Sequence, residues 1–110
     1  MSTGARSDLN QTYFQALVPG NSWTLDFTNT SAQVGPFAST TTLVSIFPTQ
    51  DCWVKIGSGA QTAAAISSGA SGTSVFCPGG IQNFLGVDPS DYLAIVRNAT
   101  SGTIYICECT

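Results

Sequence analysis

Residues 77–110 read CPGGIQNFLGVDPSDYLAIVRNATSGTIYICECT, and this stretch decides the fold. Its first apolar run, residues 92–96, contains mostly branched side chains, as is typical of a strand covered on both faces. In the second run, residues 103–109, the side chains alternate with a period of two, which indicates a strand with two unlike faces. A polar cluster that ends in glycine, residues 97–102, separates the two runs. We therefore predict a β-hairpin with a loop longer than two residues, placed at the centre of the sheet.

The rest of the chain supplies further short strands that we expect to lie against this hairpin. Turn residues separate about eight runs at intervals of roughly ten residues, and no segment has a convincing helical period. Residues 62–66 fit either a helical turn or a strand. The pattern predicts an all-β fold, a β-sandwich or jelly roll of antiparallel strands. The predicted strands before the hairpin are residues 23–27, 33–38, 41–47, 52–56, 75–77 and 81–87.

The first 20 residues show neither periodicity, and Pro19 and Gly20 end whatever begins there. We predict an extended N-terminal arm over residues 1–20, lying on the domain or on a neighbouring subunit, and a β-sandwich domain over residues 21–110. The sequence begins with Met1 and has no apolar core after a basic start, so we expect synthesis in the cytosol without a signal peptide. The apolar residues of the arm that we expect to contact a partner are Tyr13, Phe14 and Leu17.

The amino-acid composition excludes some classes of function and favours others. The chain has 110 residues, enough for one domain, and only 8% of them are charged, against about 25% in average soluble domains. Its three basic residues do not cluster, which excludes a nucleic-acid footprint. No apolar run reaches the roughly 18 residues of a membrane span. A surface built from Ser, Thr, Asn, Gln and Gly lacks charge repulsion and favours a protein that packs against neighbours.

The four cysteines admit three interpretations. Cys107 and Cys109 lie side by side on one strand face, at poor geometry for a disulfide with each other. Either of them could bond Cys52 or Cys77 across the sheet. A zinc site is conceivable, but the spacing lacks the usual pairs on turns. We favour buried free thiols over disulfides, and disulfides over zinc.

The sequence lacks the residues that most catalytic sites need. It contains no histidine, so a Ser-His-Asp or Cys-His site cannot form within one chain. Asp88 and Asp91 stand in a turn, where Asp is expected to cap backbone amides. Glu108 is interpreted as a strand-end residue at the rim, where it could form a salt bridge to Arg97 or Lys55, the alternative being a contact between subunits. We predict no catalytic residue, no metal ligand, no cofactor and no enzymatic activity.

Two tryptophans are candidates for stacking or contact. Trp23 alternates into the presumed core, whereas Trp53 shares a strand face with Lys55 and is the best single candidate for a contact hot spot. In a carbohydrate-binding module, Trp23, Trp53 or Tyr92 would instead line a shallow groove.

The order of patterns in residues 51–109 resembles a known family. It is similar to that of small β-sandwich virion proteins of tailed bacteriophages, in particular head decoration (cement) proteins. The patterns that carry the resemblance are, in order, DCWVKIG, a Gly/Ala/Ser-rich segment, CPGG, an aromatic-aliphatic strand, DPSDYLAIVR and SGTIYICE. This resemblance implies a non-enzymatic homotrimer on the outside of the major capsid protein shell, with an N-terminal arm that reaches neighbouring subunits. The implied location is the exterior of the virion. The alternatives are a phage neck, connector or fibre component, and a carbohydrate-binding β-sandwich module.

Overall fold

A computed structural model describes residues 17–110, which form eight strands in two four-stranded antiparallel sheets. The first sheet has the strand order β1-β8-β3-β6 and the second the order β2-β7-β4-β5. The predicted all-β sandwich is confirmed. The strands are β1 Pro19–Phe27, β2 Ala32–Val34, β3 Leu43–Pro48, β4 Cys52–Ser58, β5 Val75–Cys77, β6 Asn83–Gly86, β7 Asp91–Arg97 and β8 Gly102–Cys109.

The strand pairs are nested along the chain. β1 pairs with β8, β2 with β7, β3 with β6 and β4 with β5, so that the first strand pairs with the last and the two middle strands form the innermost pair. Two further pairs, β3 with β8 and β4 with β7, complete the sheets. The strands β7 and β8 therefore occupy inner positions in different sheets.

The predicted hairpin of β7 and β8 is wrong. The two strands do not pair; the chain crosses between the sheets after Arg97, and the inner faces of both strands point into one core. Leu93 and Ile95 of β7 and Ile104 and Ile106 of β8 are all at most 2% exposed. Facing across the sandwich packs the two sets of branched side chains against each other in the core between the sheets. The long polar loop supplies the reach for a crossing between layers about 10 Å apart.

The interpretation of β7 as a strand covered on both faces is confirmed. Its outward residues Ala94 and Val96 are also buried, because Ala63 from residues 59–74 packs over them together with Trp53. The Ala63 amide donates a hydrogen bond of 2.9 Å to Ser31 Oγ, which fixes this loop to the sheet. Residues 62–66, for which the sequence left helix and strand open, form neither.

Strand boundaries differ from the predicted ones mainly at the N-terminus. β1 begins at Pro19, four residues before the predicted strand, and a register irregularity between Pro19 and Ser22 accommodates the Pro-Gly pair that was expected to stop it. The predicted arm over residues 1–20 lies outside the described residues except for its last four, two of which belong to β1.

Candidate functional site

The outer face of the first sheet carries three aromatic side chains at 40–50% exposure, namely Phe47, Phe84 and Tyr105. We call these three residues the aromatic face. Phe47 in β3 lies directly opposite Tyr105 in β8. Phe84 in β6 lies opposite Ser45, which is two residues before Phe47 and on the same side of the sheet. Residues in such positions are near enough for their rings to form one contiguous surface.

The positions between these rings are uncharged. Ser45 is paired with both Phe84 and Cys107 on this side of the sheet, and its hydroxyl accepts a 2.6 Å hydrogen bond from Gln82 Nε2. The carboxylate of Asp26 in β1 borders the patch, because Asp26 is paired with Thr103, two residues before Tyr105, and accepts a 2.8 Å hydrogen bond from Thr103 Oγ1. An apolar patch with a polar border on a small domain is typical of a contact surface.

Sequence reasoning did not find the aromatic face. Phe47 and Tyr105 stand at positions that alternate with core residues, where the strand pattern leads one to expect polar side chains. Aromatic residues at such polar-side positions were the available signal. Their adjacency depends on the pairing of β3 with β8, which the predicted hairpin did not include.

Glu108 lies beneath the same sheet and corrects the prediction of a rim residue. It is on the inner face with Ile104 and Ile106, as expected, but it is only 1% exposed. Its hydrogen-bond partners are neutral groups, not Arg97 or Lys55 as predicted. Its oxygens accept hydrogen bonds from Thr41 Oγ1 at 2.6 Å, Trp23 Nε1 at 2.7 Å and the Ala38 amide at 2.8 Å.

These donors decide the charge of Glu108. Burial by itself raises the pKa of this carboxyl, but the hydrogen bonds outweigh it and hold the pKa below its ordinary value of 4.5. The donors in question are Thr41, Ala38, Trp23 and Asn21. Glu108 is thus an ionised carboxylate that ties β8 to β1 and to the segment before β3. This is a structural role.

The two tryptophans lie on opposite sides of their sheets, Trp23 toward the core and Trp53 on an outer face. Trp53 lies on the outer side of the second sheet, where its ring meets Phe76 edge-on with centroids 5.3 Å apart. Its Nε1 donates a 3.1 Å hydrogen bond to Asn98 Oδ1. Trp23 packs against the core, as predicted. Trp53 therefore serves the packing of its own domain as well as offering a partly open ring.

The other predicted contact residues lie at or beyond the edge of the described chain. Tyr13 and Phe14 fall outside the described residues. Leu17 is half-buried and precedes Val18, whose backbone exchanges two hydrogen bonds with that of Thr110 at 3.0 and 3.1 Å.

The two aspartates of the DPSD turn act as turn residues. Asp91 is 7% exposed, and its Oδ2 accepts a 2.9 Å hydrogen bond from the amide of Asp88. They border an open cleft of about 480 Å³ together with Thr42, Ser58 and Val87. Within residues 17–110, no three His, Cys, Asp or Glu side chains come close enough together to hold a metal ion.

All four cysteines are free, as predicted. Cys52 and Cys77 oppose each other in the β4–β5 ladder with side chains in the core. Cys107 and Cys109 lie on the other sheet, so the predicted alternatives of bonds from these two to Cys52 or Cys77 do not match the topology.

Comparison of the chain with protein-family models, curated proteins and solved structures found no match. Residues 17–110 contain no helix with the length and apolar character needed to cross a membrane.

Proposed function

We propose that this protein is a non-enzymatic virion component, a decoration or cement protein that binds the outside of a major capsid protein lattice and stabilises the head. The observation that carries the proposal is the aromatic face, an apolar surface on one side of a chain with 8% charged residues. Buried aromatic rings contribute strongly to protein contacts, and the chain supplies three of them on one sheet face.

The strand order supports the same proposal. The nested pairs and the sheet orders β1-β8-β3-β6 and β2-β7-β4-β5 are those expected of a jelly roll, in which a long antiparallel ribbon folds over into two sheets. Jelly rolls are frequent in viral capsid and lectin domains. Fold alone does not assign function, so this support is secondary to that of the surface.

We further propose that the protein acts as a homotrimer in which each subunit presents its aromatic face to the lattice. The trimer comes from the resemblance to decoration proteins. Such a trimer binds the closed shell and not its dissociated subunits, so binding shifts the equilibrium toward the closed shell by mass action. The Ser/Thr/Gly-rich surface outside the aromatic face suits close packing among neighbours, because little charge repulsion opposes it.

The test uses shells of the major capsid protein encoded in the same genome. Wild-type protein is expected to co-sediment with the shells and to raise the temperature at which they disrupt. The double variant Phe47→Ser/Tyr105→Ser removes two half-exposed rings without emptying the core, and it is expected to lose at least tenfold in shell affinity.

The matched control is Val75→Ser, which removes a 54% exposed apolar side chain from an edge strand of the other sheet. It is expected to bind like the wild type. Equal disruption temperatures with and without wild-type protein, or equal affinities for the double variant and the control, would contradict the proposal.

A further inference from the structure

We propose that Cys52 and Cys77 form a reversible cross-strand disulfide, making the β4–β5 pair a redox-responsive modification site. This inference is independent of the virion function, since it depends only on the geometry of the second sheet.

The first support is register. Cys52 begins β4 and Cys77 ends β5, and the two residues are direct partners in the antiparallel ladder. Directly opposed residues in such a ladder have Cα atoms about 4.5–5.5 Å apart, within the range of about 4.4–6.8 Å that disulfides occupy. At this register the Cα separation of the two residues falls within the disulfide range, so only a small local approach of the strands is needed to close the bond.

The second support is the direction of the side chains. Both residues point into the core, at 0% and 2% exposure. The thiol of Cys52 donates a hydrogen bond to the Cys77 carbonyl, with Sγ and O 3.7 Å apart. Both thiols therefore lie on the core side of the β4–β5 pair, and that of Cys52 reaches the backbone of its partner.

The same geometry predicts a labile bond. Directly opposed Cβ atoms lie about 4.5–5.5 Å apart, whereas a disulfide draws them to about 3.5–4.5 Å. Closing the bond pulls the two strands together locally and stores strain, and strained disulfides are the more easily reduced ones.

The short edge strand provides access for an oxidant. β5 has three residues and, among the described strands, pairs only with β4, while Val75 and Phe76 within it are 54% and 42% exposed. Local opening of such a strand requires less free energy than global unfolding. Cys77 is the residue that this opening brings to solvent.

The edge position identifies the attacking sulfur. Opening of β5 exposes Cys77, whereas Cys52 stays in β4, which is also held by β7. The side-chain interaction between the two cysteines lowers the pKa of Cys77, while the same interaction and burial raise the pKa of Cys52, in agreement with this order.

The oxidant is a low-molecular-weight disulfide such as oxidised glutathione. The Cys77 thiolate attacks one of its sulfurs, the S–S bond of the oxidant breaks, and one thiolate leaves and takes up a proton. Cys52 then loses its proton and attacks Cys77 Sγ of the mixed disulfide, releasing the second thiol. The protein loses two hydrogens, and the oxidant is reduced to two thiols.

The other two cysteines provide the internal control. Cys107 and Cys109 are two residues apart on one strand, and their sulfurs contact the carbonyl oxygens of Glu108 and Cys107, respectively. Neighbours on one strand face are poorly directed for a disulfide, so these two are not expected to bond to each other.

The experiment treats the folded full chain with oxidised glutathione, blocks remaining thiols with an alkylating reagent and maps peptides by mass spectrometry. We expect a cross-link between the peptides that contain Cys52 and Cys77, and a rise in the thermal midpoint on the order of 10 °C, because the bond closes a loop of about 25 residues. An excess of reduced glutathione should remove both effects.

The variant Cys107→Ala/Cys109→Ala keeps only the proposed pair and should react in the same way, while Cys77→Ala should show no rise in midpoint. If Cys77→Ala fails to fold, the peptide map of the wild-type chain decides alone. Three results would overturn the proposal. The folded protein could retain a glutathione adduct on one cysteine, it could form a different cross-link, or it could form no cross-link under conditions in which the denatured chain is fully oxidised.

Discussion

Glu108 shows how one side chain can join three distant parts of the chain. Its carboxylate accepts hydrogen bonds from residues 67, 70 and 85 positions away, and it is almost fully buried. An ionised group in such a place is stable only because donors replace its lost hydration. Any change that removes an acceptor therefore leaves a buried donor unpaired.

We expect Glu108→Gln to lower the free energy of unfolding by about 2 kcal/mol at pH 7. The amide keeps one acceptor oxygen, but its NH2 group faces a donor where the carboxylate accepted a hydrogen bond. Urea unfolding followed by tryptophan fluorescence measures the change.

The matched control is Asp26→Asn, the same chemical change at an exposed carboxylate, which should cost under about 0.5 kcal/mol. Trp23→Phe should lower the free energy of unfolding by less in the Glu108→Gln variant than in the wild type, because Trp23 and Glu108 share one hydrogen bond. Equal unfolding free energies for the wild type and Glu108→Gln would refute the role assigned to the carboxylate.

The same carboxylate predicts a pH dependence. Its pKa is lower in the folded state than its ordinary value of 4.5, so the unfolded chain binds the proton more readily. Its contribution is fully present above pH 4.5 and is lost as the pH falls through the lower folded-state pKa. The stability gap between the wild type and Glu108→Gln should therefore be widest at neutral pH and shrink below pH 4.5. Urea midpoints at pH 7 and pH 3 measure it; an unchanged gap would mean that the folded carboxyl is not ionised.

Alternation predicted the inward face of Glu108 but not its burial. The period of two in β8 places it with Ile104 and Ile106 whatever the partner strands are. Its donors come from Trp23, Ala38 and Thr41, and nothing local to residue 108 indicates that they converge there. Long-range convergence of this kind is a property of the topology.

At the scale of elements, two turns pack against each other with their backbones in close contact. The CPGG turn after β5 lies on the turn between β3 and β4: the Gly79 amide donates to Asp51 Oδ1 at 2.8 Å, and the Gly80 amide to the Pro48 carbonyl at 2.7 Å. A Cβ added at Gly79 would come within 2.6 Å of Gln50 Cα and 2.7 Å of its carbonyl carbon. The close backbone approach requires glycine at this position.

We expect Gly79→Ala to lower the free energy of unfolding by about 2 kcal/mol or more, because the clash is with backbone atoms that cannot rotate away. Gly86→Ala is the control, since a Cβ there meets nothing within 4 Å. It should change stability by less than about 0.5 kcal/mol. Chemical denaturation of both variants measures the two changes. Similar losses of unfolding free energy would show that the backbone of the turn shifts to accommodate the added Cβ.

Strands were easier to predict than their partners. The runs that became β3, β4, β5, β7 and β8 are visible because one face must be apolar wherever the strand lies. A β7–β8 hairpin and two strands that face each other across a sandwich both bury one face of each strand, so the apolar pattern alone does not choose between them. The aromatic face was missed for the same reason, because it depends on the pairing of β8 with β3.

At the scale of the whole molecule, the two sheets differ in their outer faces. The second sheet is partly covered by residues 59–74 of its own chain, with Ala94 and Val96 buried beneath Ala63. On the first sheet, Phe47, Phe84 and Tyr105 keep 40–50% of their surface exposed. The second sheet exposes one aromatic ring to a comparable extent, Phe76 at 42%, so the first sheet carries the larger aromatic surface of this 11.4 kDa chain.

Under the proposed function, the isolated chain should have a native mass three times 11.4 kDa, and the same mass with and without reductant. Reductant is without effect because the proposed disulfide lies within one chain, so no bond between subunits depends on it. Phe47→Ser/Tyr105→Ser should keep this mass while losing shell binding, since the aromatic face is assigned to the lattice. Sedimentation velocity measures all three samples. A monomer under both conditions would reject the trimer, and a double variant that dissociates would reassign the aromatic face from the lattice to the contact between subunits.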